Sequence, residues 1–373
     1  MKVSREQAHA WRLRRQLLDP RGSAGAVEAI RRLCGVQAQV ASAAELAVRV
    51  RQAAPETGAV ERAIADGSLV KTWAMRGTLH LLPSTDAGDF LSLIASARTW
   101  EKGSWQRVYG ATPQQVAALV KAVPDILDDA ALTREELVGR IVAHREFASM
   151  EEHLRSGWGS LLKPLAWQGA LCHGLSQGNK VTFTRPDTLP GWKGIPEPDE
   201  AAPAAISAYL GAYGPATPEV FDAWLSRGSL RKGVLRGWFA AMGDRLTTVD
   251  VDGQDAHILS DHADDLAATG TSTSVRLLGA FDQYVLGPGT SDRPLLPAEH
   301  RDKVSKAAGW ISPIVVVDGR IAGVWELDGG EVSVSLFGGA DRPLMADLEA
   351  EVAHLAVATG TPGLGLSTVV ALT

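Results

Sequence analysis

A recurring order of predicted helices and strands limits the folds that this chain of 373 residues can adopt. Each time, two or three short helices are followed by a pair of strands. In the first copy, apolar residues at helical spacing lead into two short runs of strand-forming residues. These patterns predict helices near residues 24–34, 41–51 and 58–66, and strands over Leu69–Trp73 and Gly77–Leu82.

Two further copies follow the same order. In the second, Thr133-Arg134-Glu135-Glu136 forms a capping box that starts a helix, and a helix over Trp158–His173 and a strand over Lys180–Arg185 follow. The third comes after Thr188–Pro203, which contains four prolines and no periodicity and is therefore typical of a linker. Its predicted elements are helices over Ala204–Tyr213, Thr217–Ser226 and Ser229–Met242, and strands over Leu246–Val251 and Ala256–Leu259.

The last hundred residues are rich in strand patterns. The turns Asp318-Gly319-Arg320 and Asp328-Gly329-Gly330 are strong hairpin signals. The predicted strands are Val275–Ala280, Ile314–Asp318, Ile321–Leu327 and Glu331–Phe337, followed by a helix over Arg342–Thr359.

Helix, turn, helix and hairpin is the order of a winged-helix domain, in which one helix enters a DNA groove and the hairpin forms the wing. One copy is common in α/β proteins, but three copies favour nucleic-acid binding. We therefore predict an α+β fold of three tandem winged-helix motifs, with a β-rich C-terminal part packed against them. The predicted division is 1–90 for the first winged helix, 91–190 for a helical segment and the second, 200–262 for the third, and 274–373 for a β-rich domain with a closing helix.

Charge is distributed unevenly along the chain. A net charge of −6 argues against a protein that coats nucleic acid without selectivity. Residues 1–51 nevertheless hold ten Lys and Arg against four Asp and Glu. We therefore expect a basic face, suited to DNA, near the amino terminus.

The cysteine pattern and the apolar runs bear on the cellular setting. Cys34 and Cys172 lie far apart within apolar helical patterns, which favours buried thiols in a reducing cytosol over a disulfide. No run approaches the length of a membrane-spanning helix, and residues 1–18 carry charges throughout, unlike a signal peptide. We expect a cytoplasmic monomer with no membrane partner.

Four segments carry a resemblance to a known family. They are Gln37-Ala38-Gln39, KTWAMRGTLHLL at Lys71–Leu82, LLGAFDQYVLGPGTSDRPLLPAEHR at Leu277–Arg301 and VVVDGRIAGVW at Val315–Trp325. Together they resemble the AlkZ-like family of winged-helix DNA glycosylases, essentially from end to end. Members of that family remove bulky alkylation adducts and interstrand crosslinks, and the Gln-x-Gln variant, rather than Gln-x-Asp, is the one associated with azinomycin resistance. The resemblance implies a DNA repair enzyme that acts on double-stranded DNA carrying N7-alkylated purines.

The two glutamines can catalyse base excision only on an activated substrate. A neutral amide has no useful basicity, so Gln37 and Gln39 can orient a water molecule but cannot act as general bases. A guanine alkylated at N7 already carries positive charge and leaves readily. Two amide carbonyls, on the same side of an extended segment, can then place the water and face an oxocarbenium-like transition state. No lysine adjoins the pair to form a Schiff base, so we expect a monofunctional enzyme.

Six further residues are candidates for DNA contact. Arg76, at a turn in the first hairpin, suits a phosphate, and His80 follows it on the next strand. A hydrogen-bonded strand histidine without a functional role is an equally good interpretation of His80. The other four are Arg231, Lys232 and Arg236, which line the helix in the recognition position of the third copy, and Arg320 in the C-terminal hairpin.

Other interpretations stay open. Taken alone, a Gln-x-Gln sequence at a helix junction is more often two solvent-exposed polar residues. Winged helices mostly bind, so a non-catalytic regulator or a drug-sequestering protein is the alternative to an enzyme. We expect no cofactor or metal, because His257 and His262 follow a hairpin and fit a solvated loop better than a metal site.

Overall fold

Residues 1–338 and 345–372 are described by a computed structural model, which has a mixed α/β fold. Its helices are α1 (Arg5–Arg15), α2 (Ala26–Arg32), α3 (Ala41–Arg49), α4 (Ala59–Ala65), α5 (Ala87–Ser96), α6 (Gly103–Tyr109), α7 (Pro113–Leu127), α8 (Arg134–Val142), α9 (Glu151–Arg155), α10 (Leu162–Trp167), α11 (Pro198–Tyr213), α12 (Pro218–Ser226), α13 (Lys232–Ala241), α14 (Ala263–Ala267), α15 (Gln283–Leu286), α16 (Arg301–Val304) and α17 (Met345–Thr359). Its strands are β1 (Lys2–Val3), β2 (Val36–Gln37), β3 (Leu69–Trp73), β4 (Leu79–Pro83), β5 (Leu132–Thr133), β6 (Cys172–His173), β7 (Thr182–Thr184), β8 (Leu246–Val251), β9 (Gln254–Leu259), β10 (Val275–Leu278), β11 (Ile314–Val317), β12 (Arg320–Asp328), β13 (Glu331–Phe337) and β14 (Gly365–Leu372).

The chain divides into two compact units. Unit 1 comprises Met1–Val60, Ile206–Trp224 and Phe239–Thr373, and unit 2 comprises Glu61–Ala205 and Leu225–Trp238. Each unit has its own buried apolar side chains. None of the helices in the described ranges is long and apolar enough to cross a membrane.

Unit 1 contains two sheets. One has the order β10-β11-β12-β13-β14, with antiparallel neighbours except for β14, which runs parallel to β13. Its core includes Leu277, Val315, Val334 and Leu348, each no more than 1% exposed. The other sheet joins β1 in parallel to the hairpin β8–β9. Burial of each large apolar side chain stabilises the unit by about 1.5–3 kcal/mol.

In unit 2 the strands follow the order β4-β3-β6-β7-β5, and all neighbours are antiparallel. Three rings pack together on this sheet. The centroid of Trp73 lies 4.6 Å from that of His173 and 5.9 Å from that of Phe183. Helices α5, α7, α8 and α10 contribute buried apolar side chains such as Leu91, Val116 and Leu137.

Several local predictions are confirmed. Strands β3, β8 and β13 have the predicted bounds. The capping box at Thr133 is present, because its side chain accepts from the Glu136 N–H and Glu136 accepts from the Thr133 N–H. At the turn between β11 and β12, Asp318 and Gly319 have φ values of 51° and 81°. A two-residue hairpin turn of type I′ requires positive φ at both of its central residues. Cys34 and Cys172 are buried and form no disulfide.

The predicted helix over Trp158–His173 was too long. Only Leu162–Trp167 is helical, and Cys172–His173 is strand β6. Apolar residues continue at helical spacing through this stretch, but Gly159 and Gly169 have φ values of 66° and 74°. Such values lie outside the right-handed helical region, so the helix stays between the two glycines.

The ends of two other predicted segments also differ. The predicted linker Thr188–Pro203 ends early, because α11 starts at Pro198 and contains Pro203. Its Ala202, Ile206 and Tyr209 are no more than 1% exposed, and this packing outweighs the proline. The predicted closing helix, Arg342–Thr359, is described from Met345 onwards; residues 342–344 lie outside the described ranges. The strand β14 that follows was not predicted.

Candidate active site and DNA-contact residues

The glutamine pair lies in unit 1, in the link between α2 and α3. After α2, Cys34 and Gly35 have φ values of 54° and 93°, and the Gly35 N–H donates to the Ile30 carbonyl at 2.9 Å. A glycine adopts this left-handed geometry without strain, which ends the helix. The Tyr213 hydroxyl donates to the Leu33 carbonyl. The chain therefore leaves α2 in a fixed direction before it reaches Gln37.

The two glutamine side chains occupy different environments. Strand β2 ends at Gln37, and the chain bends at Gln39 before α3 begins. The Gln37 residue is only 6% exposed, whereas Gln39 is exposed. The segment from Gln37 to Gln39 is therefore not extended over its whole length. The expectation that both side chains lie on the same side required an extended segment. Gln37 is also not the exposed polar residue that a helix junction suggests.

Neither glutamine amide is used to hold the fold together. Within the described part of the chain, neither side chain makes a hydrogen bond. Although the Gln37 residue is 6% exposed, its amide nitrogen and oxygen are not fully buried, so the amide that makes no hydrogen bond to protein still reaches solvent. Such an amide is available to bind water or a substrate atom.

His80 lies on β4 in unit 2 and is fully buried. Its Nδ1 lies 3.0 Å from the Thr78 carbonyl oxygen and donates to it. Nε2 then carries no proton, and it has no hydrogen-bond partner among the described residues. A phosphate contact requires an accessible side chain, whereas this ring belongs to the interior in the present structure.

The neutral state of His80 predicts a dependence of stability on pH. Desolvation, and then the charge of Arg76, lower its pKa from 6.5 to about 3. Below pH 6.5 the unfolded chain binds a proton that the native chain binds only near pH 3. The stability contributed by neutral His80 is therefore fully present above pH 6.5. As the pH falls towards 3, it is lost at about 1.4 kcal/mol per pH unit.

We expect the fall in unfolding free energy between pH 7 and pH 5 to be about 2 kcal/mol smaller in a His80→Gln variant than in the wild type. Chemical denaturation at the two pH values measures it. His144→Gln, which replaces an exposed histidine of the same unit, is the control. An unchanged pH difference in the His80 variant would show that His80 is not the titrating group.

Arg76 lies in a single turn of 3-10 helix, Met75–Gly77, between β3 and β4. Its φ of 57° is left-handed, which is uncommon for a residue other than glycine. The side chain is half-buried and lines a cavity in unit 2 together with Lys163 and Arg227. Lys163 was not identified as a site residue from the sequence, because it stands alone between apolar residues.

Arg231, Lys232 and Arg236 lie at the start of α13 and along it, and all three are exposed. None of them makes an ion pair or a side-chain hydrogen bond with the described residues. Arg231 also lines a shallow cavity whose wall includes Glu197 and Asp199. Uncommitted, exposed cations along one helix are well placed for phosphates.

Arg320 is exposed at the first position of β12, in unit 1. The turn before it is tightly packed, because a Cβ on Gly319 would lie 2.6 Å from the Cβ of His9. The predicted site residues thus fall into two sets. Gln37, Gln39 and Arg320 belong to unit 1, and Arg76, His80, Arg231, Lys232 and Arg236 belong to unit 2.

The expected basic face of residues 1–51 is largely used inside the protein. Most of its arginines bind other groups of unit 1. The contacts are Arg5 to Asp252 at 3.2 Å, Arg12 to Asp292 at 3.2 Å, Arg15 to the Gly211 carbonyl at 2.6 Å, Arg21 to Glu351 at 2.7 Å, Arg49 to Thr57 at 2.9 Å and Arg51 to Asp282 at 2.7 Å. The interpretation of this segment as a free DNA-binding face was therefore wrong for these residues.

The Leu277–Arg301 motif has a structural role at its centre. Asp282 accepts the Tyr284 N–H at the start of α15 and receives two hydrogen bonds from Arg51, at 2.8 and 2.7 Å. Both charged side chains are fully buried. Loss of one partner would leave the other charge buried and uncompensated, at a cost of about 3–5 kcal/mol. The Tyr284 hydroxyl donates to the Gly319 carbonyl at 2.6 Å.

Among residues 1–338 and 345–372, no group of three or more His, Cys, Asp and Glu side chains is arranged to hold a metal ion.

The fold, the Gln-x-Gln link and the sequence define a class of DNA repair enzyme. The chain belongs to the AlkZ-like DNA glycosylase family, whose profile matches residues 30–358. It is 57% identical over 366 residues to an interstrand DNA cross-link repair glycosylase of Streptomyces sahachiroi, covering 98% of this chain and 99% of that protein. The solved structure of DNA glycosylase AlkZ from the same organism matches with a TM-score of 0.97 and 56% identity, over 99% of this chain and 100% of that one. The family resemblance of the four segments is confirmed.

Proposed function

We propose that this protein is a monofunctional DNA glycosylase that repairs interstrand crosslinks. Its substrates are bulky N7-alkylated purines, including azinomycin-type crosslinks, and its repair activity gives self-resistance to such agents. The observation that carries this proposal is the near-complete match to a crosslink-repair glycosylase. The amide of Gln37, which makes no hydrogen bond within the described part of the chain and lies two residues from an exposed Gln39, supports it.

The reaction needs little acid or base strength from the protein. When the N9–C1′ bond of an N7-alkylguanine breaks, the bonding electrons neutralise the cationic base, which leaves without protonation. The carbonyl of Gln37 accepts a hydrogen bond from the attacking water, and the carbonyl dipoles of both glutamines face the positive charge that develops at the sugar. The water forms the new C1′–O bond and loses its proton to solvent. Undamaged bases, which leave poorly, are not substrates.

DNA binding is proposed to use winged-helix geometry. The order of helices followed by a hairpin is present over α2–β4 and over α11–β9, and in a modified form, with additional short helices, over α8–β7. We assign a winged-helix motif to each. In the third, Arg231, Lys232 and Arg236 contact phosphates, and Arg76 and Arg320 are further contact candidates. We also propose that the protein acts on double-stranded DNA as a cytoplasmic monomer.

An excision assay tests the function directly. Duplexes containing N7-methylguanine or a crosslinked adduct are incubated with the protein, and half of each sample is then heated in alkali. We expect breaks at the lesion only after alkali, because hydrolysis leaves an intact abasic strand. The same damaged duplex without protein, heated in alkali in the same way, and an undamaged duplex with protein are the controls.

Two results of this assay would contradict the proposal. Retardation of the duplex on a native gel without alkali-labile sites would identify a DNA-binding protein without catalysis. Breaks that form without alkali would identify a lyase instead of a monofunctional enzyme.

A further inference from the structure

Unit 2 contains a cavity that combines positive charge with aromatic rings. Its volume is about 240 Å³, and its walls include Arg76, Lys163 and Arg227 together with Trp105, Tyr109 and Trp158. No carboxylate of the described chain lines it. Ligand pockets for drug-sized molecules run from about 300 to 1,000 Å³, so this space suits one small group.

Two cations of the cavity, Lys163 and Arg227, have no carboxylate partner among the described residues. The pKa of Lys163 is lowered by desolvation and by the charge of Arg227, so the two groups are close enough to repel each other. An anion bound between them would remove this repulsion and favour the charged form of Lys163.

Backbone geometry holds these groups in place. Arg76 and Arg227 have left-handed φ values of 57° and 60°, which non-glycine residues adopt mainly where the surrounding structure imposes them. A Cβ on Gly77 would lie 3.8 Å from Lys163 Nζ and 3.8 Å from the Trp167 ring. The turn that carries Arg76 therefore lies directly against Lys163.

Trp158 supplies an aromatic surface beside the cations. It is 74% exposed, the highest value among the exposed large hydrophobic side chains of the described chain. The next residue, Gly159, is fixed, because a Cβ there would lie 2.3 Å from the Trp73 ring. Trp105 and Tyr109 form a ring pair with centroids 4.9 Å apart. Proteins bind unpaired nucleotides with exposed aromatic rings and neighbouring cations: the base stacks on a ring, and the cations neutralise the phosphate.

We propose that this cavity binds one unpaired nucleotide, with its phosphate among Arg76, Lys163 and Arg227 and its base stacked on Trp158. The proposal uses neither glutamine and does not depend on base excision. The nucleotide can come from a DNA strand or from a free mononucleotide, since both present the same phosphate and base.

Isothermal titration calorimetry with undamaged ligands tests the proposal. The probes are the trideoxynucleotide d(ApApA), deoxyadenosine monophosphate and inorganic phosphate. Wild-type protein is expected to bind the trinucleotide, and Trp158→Ala to weaken that binding about tenfold or more, as loss of base stacking does. Lys163→Gln is expected to flatten the salt dependence of trinucleotide binding by about 0.7 in log–log slope, the value for one phosphate of a single strand.

Matched controls separate the cavity from general effects. Trp310→Ala replaces another exposed tryptophan, and Lys121→Gln replaces an exposed lysine of unit 2 that does not line the cavity. Both are expected to bind the trinucleotide as the wild type does. Mononucleotide binding lost in Trp158→Ala would identify free nucleotides as ligands, whereas binding of the trinucleotide alone would identify a DNA strand.

The proposal is overturned if the wild type binds neither nucleotide, or if Trp158→Ala binds as tightly as the wild type. It is also overturned if inorganic phosphate binds the wild type as tightly as the trinucleotide and the mononucleotide do, since the base would then contribute nothing and the site would recognise the anion alone. Because the probes carry no lesion, a failed excision assay leaves this result unaffected.

Discussion

Replacing Gln37 by alanine is expected to slow excision of a crosslinked or N7-methylated guanine by about 10²- to 10³-fold, as loss of one preorganised polar group at a transition state does. Affinity for the same duplex is expected to stay within about threefold, because phosphate contacts supply most of DNA affinity. Single-turnover excision rates and gel-shift affinities on one substrate measure the two effects separately.

Burial of Gln37 changes what this variant does to stability. A Gln-x-Gln sequence at a helix junction is more often two solvent-exposed residues, but Gln37 is 6% exposed. Its truncation should therefore cost about 1 kcal/mol of unfolding free energy, a common value for a single substitution. Gln37→Met keeps an unbranched side chain of similar length and removes only the amide. We expect it to lose excision as Gln37→Ala does, with a smaller loss of stability.

Three further variants complete the test. Gln39 is exposed, so Gln39→Ala should lose excision without a change in melting temperature, and Gln39→Asp should retain part of it because the carboxylate still accepts a hydrogen bond. Gln114→Ala, which replaces an exposed glutamine on α7, should leave both properties unchanged. If Gln37→Met excises bases normally while Gln37→Ala is inactive and unstable, Gln37 has a structural role instead.

Local sequence signals predicted the bounds of three strands, but they missed β6 and β14 and misplaced several helix ends. Strands β3, β8 and β13 have their predicted bounds because turn residues and alternating patterns mark both ends locally. The start of α11 depends on packing that a proline-rich stretch does not reveal. Likewise, the Gln-x-Gln sequence identified the pair but did not reveal that Gln37 is 6% exposed while Gln39 is exposed.

The number of charged residues in a segment was the weakest guide to the residues that are free to contact DNA. The ten cations of residues 1–51 suggested a DNA-binding face, but Arg51 pairs with Asp282, 231 residues away, and Arg21 pairs with Glu351. A sequence gives the number of charges in a segment and not their partners. For the same reason Lys163 was missed, since it meets Arg76 and Arg227 only in the folded chain.

The second large expected effect is a weaker and less salt-dependent binding of duplex DNA when Arg231 and Arg236, at the start of α13 and within it, are replaced. Arg231 and Arg236 are exposed and without ion pairs in the described ranges, whereas most of the N-terminal arginines are already paired. If they contact phosphates, the double variant Arg231→Ala/Arg236→Ala should flatten the log–log salt dependence of duplex binding by about 1.8, which is 0.9 for each contact. With equal affinities of the variant and the wild type at 1 M salt, the same relation gives about a 60-fold lower affinity of the variant at 0.1 M salt.

Lesion preference should be unchanged in that double variant, because phosphate contacts position DNA and carry no information about the base. Titrations of damaged and undamaged duplexes over a range of salt concentrations measure both quantities. Lys121→Ala/Arg145→Ala removes two exposed cations elsewhere in unit 2 and controls for the change in net charge. A salt slope altered equally by both double variants would mean that net charge, and not the α13 arginines, sets the affinity. A footprint at one undamaged sequence, lost only with Arg231 and Arg236, would instead identify a sequence-specific regulator, because a glycosylase that selects cationic lesions has no need to read undamaged bases.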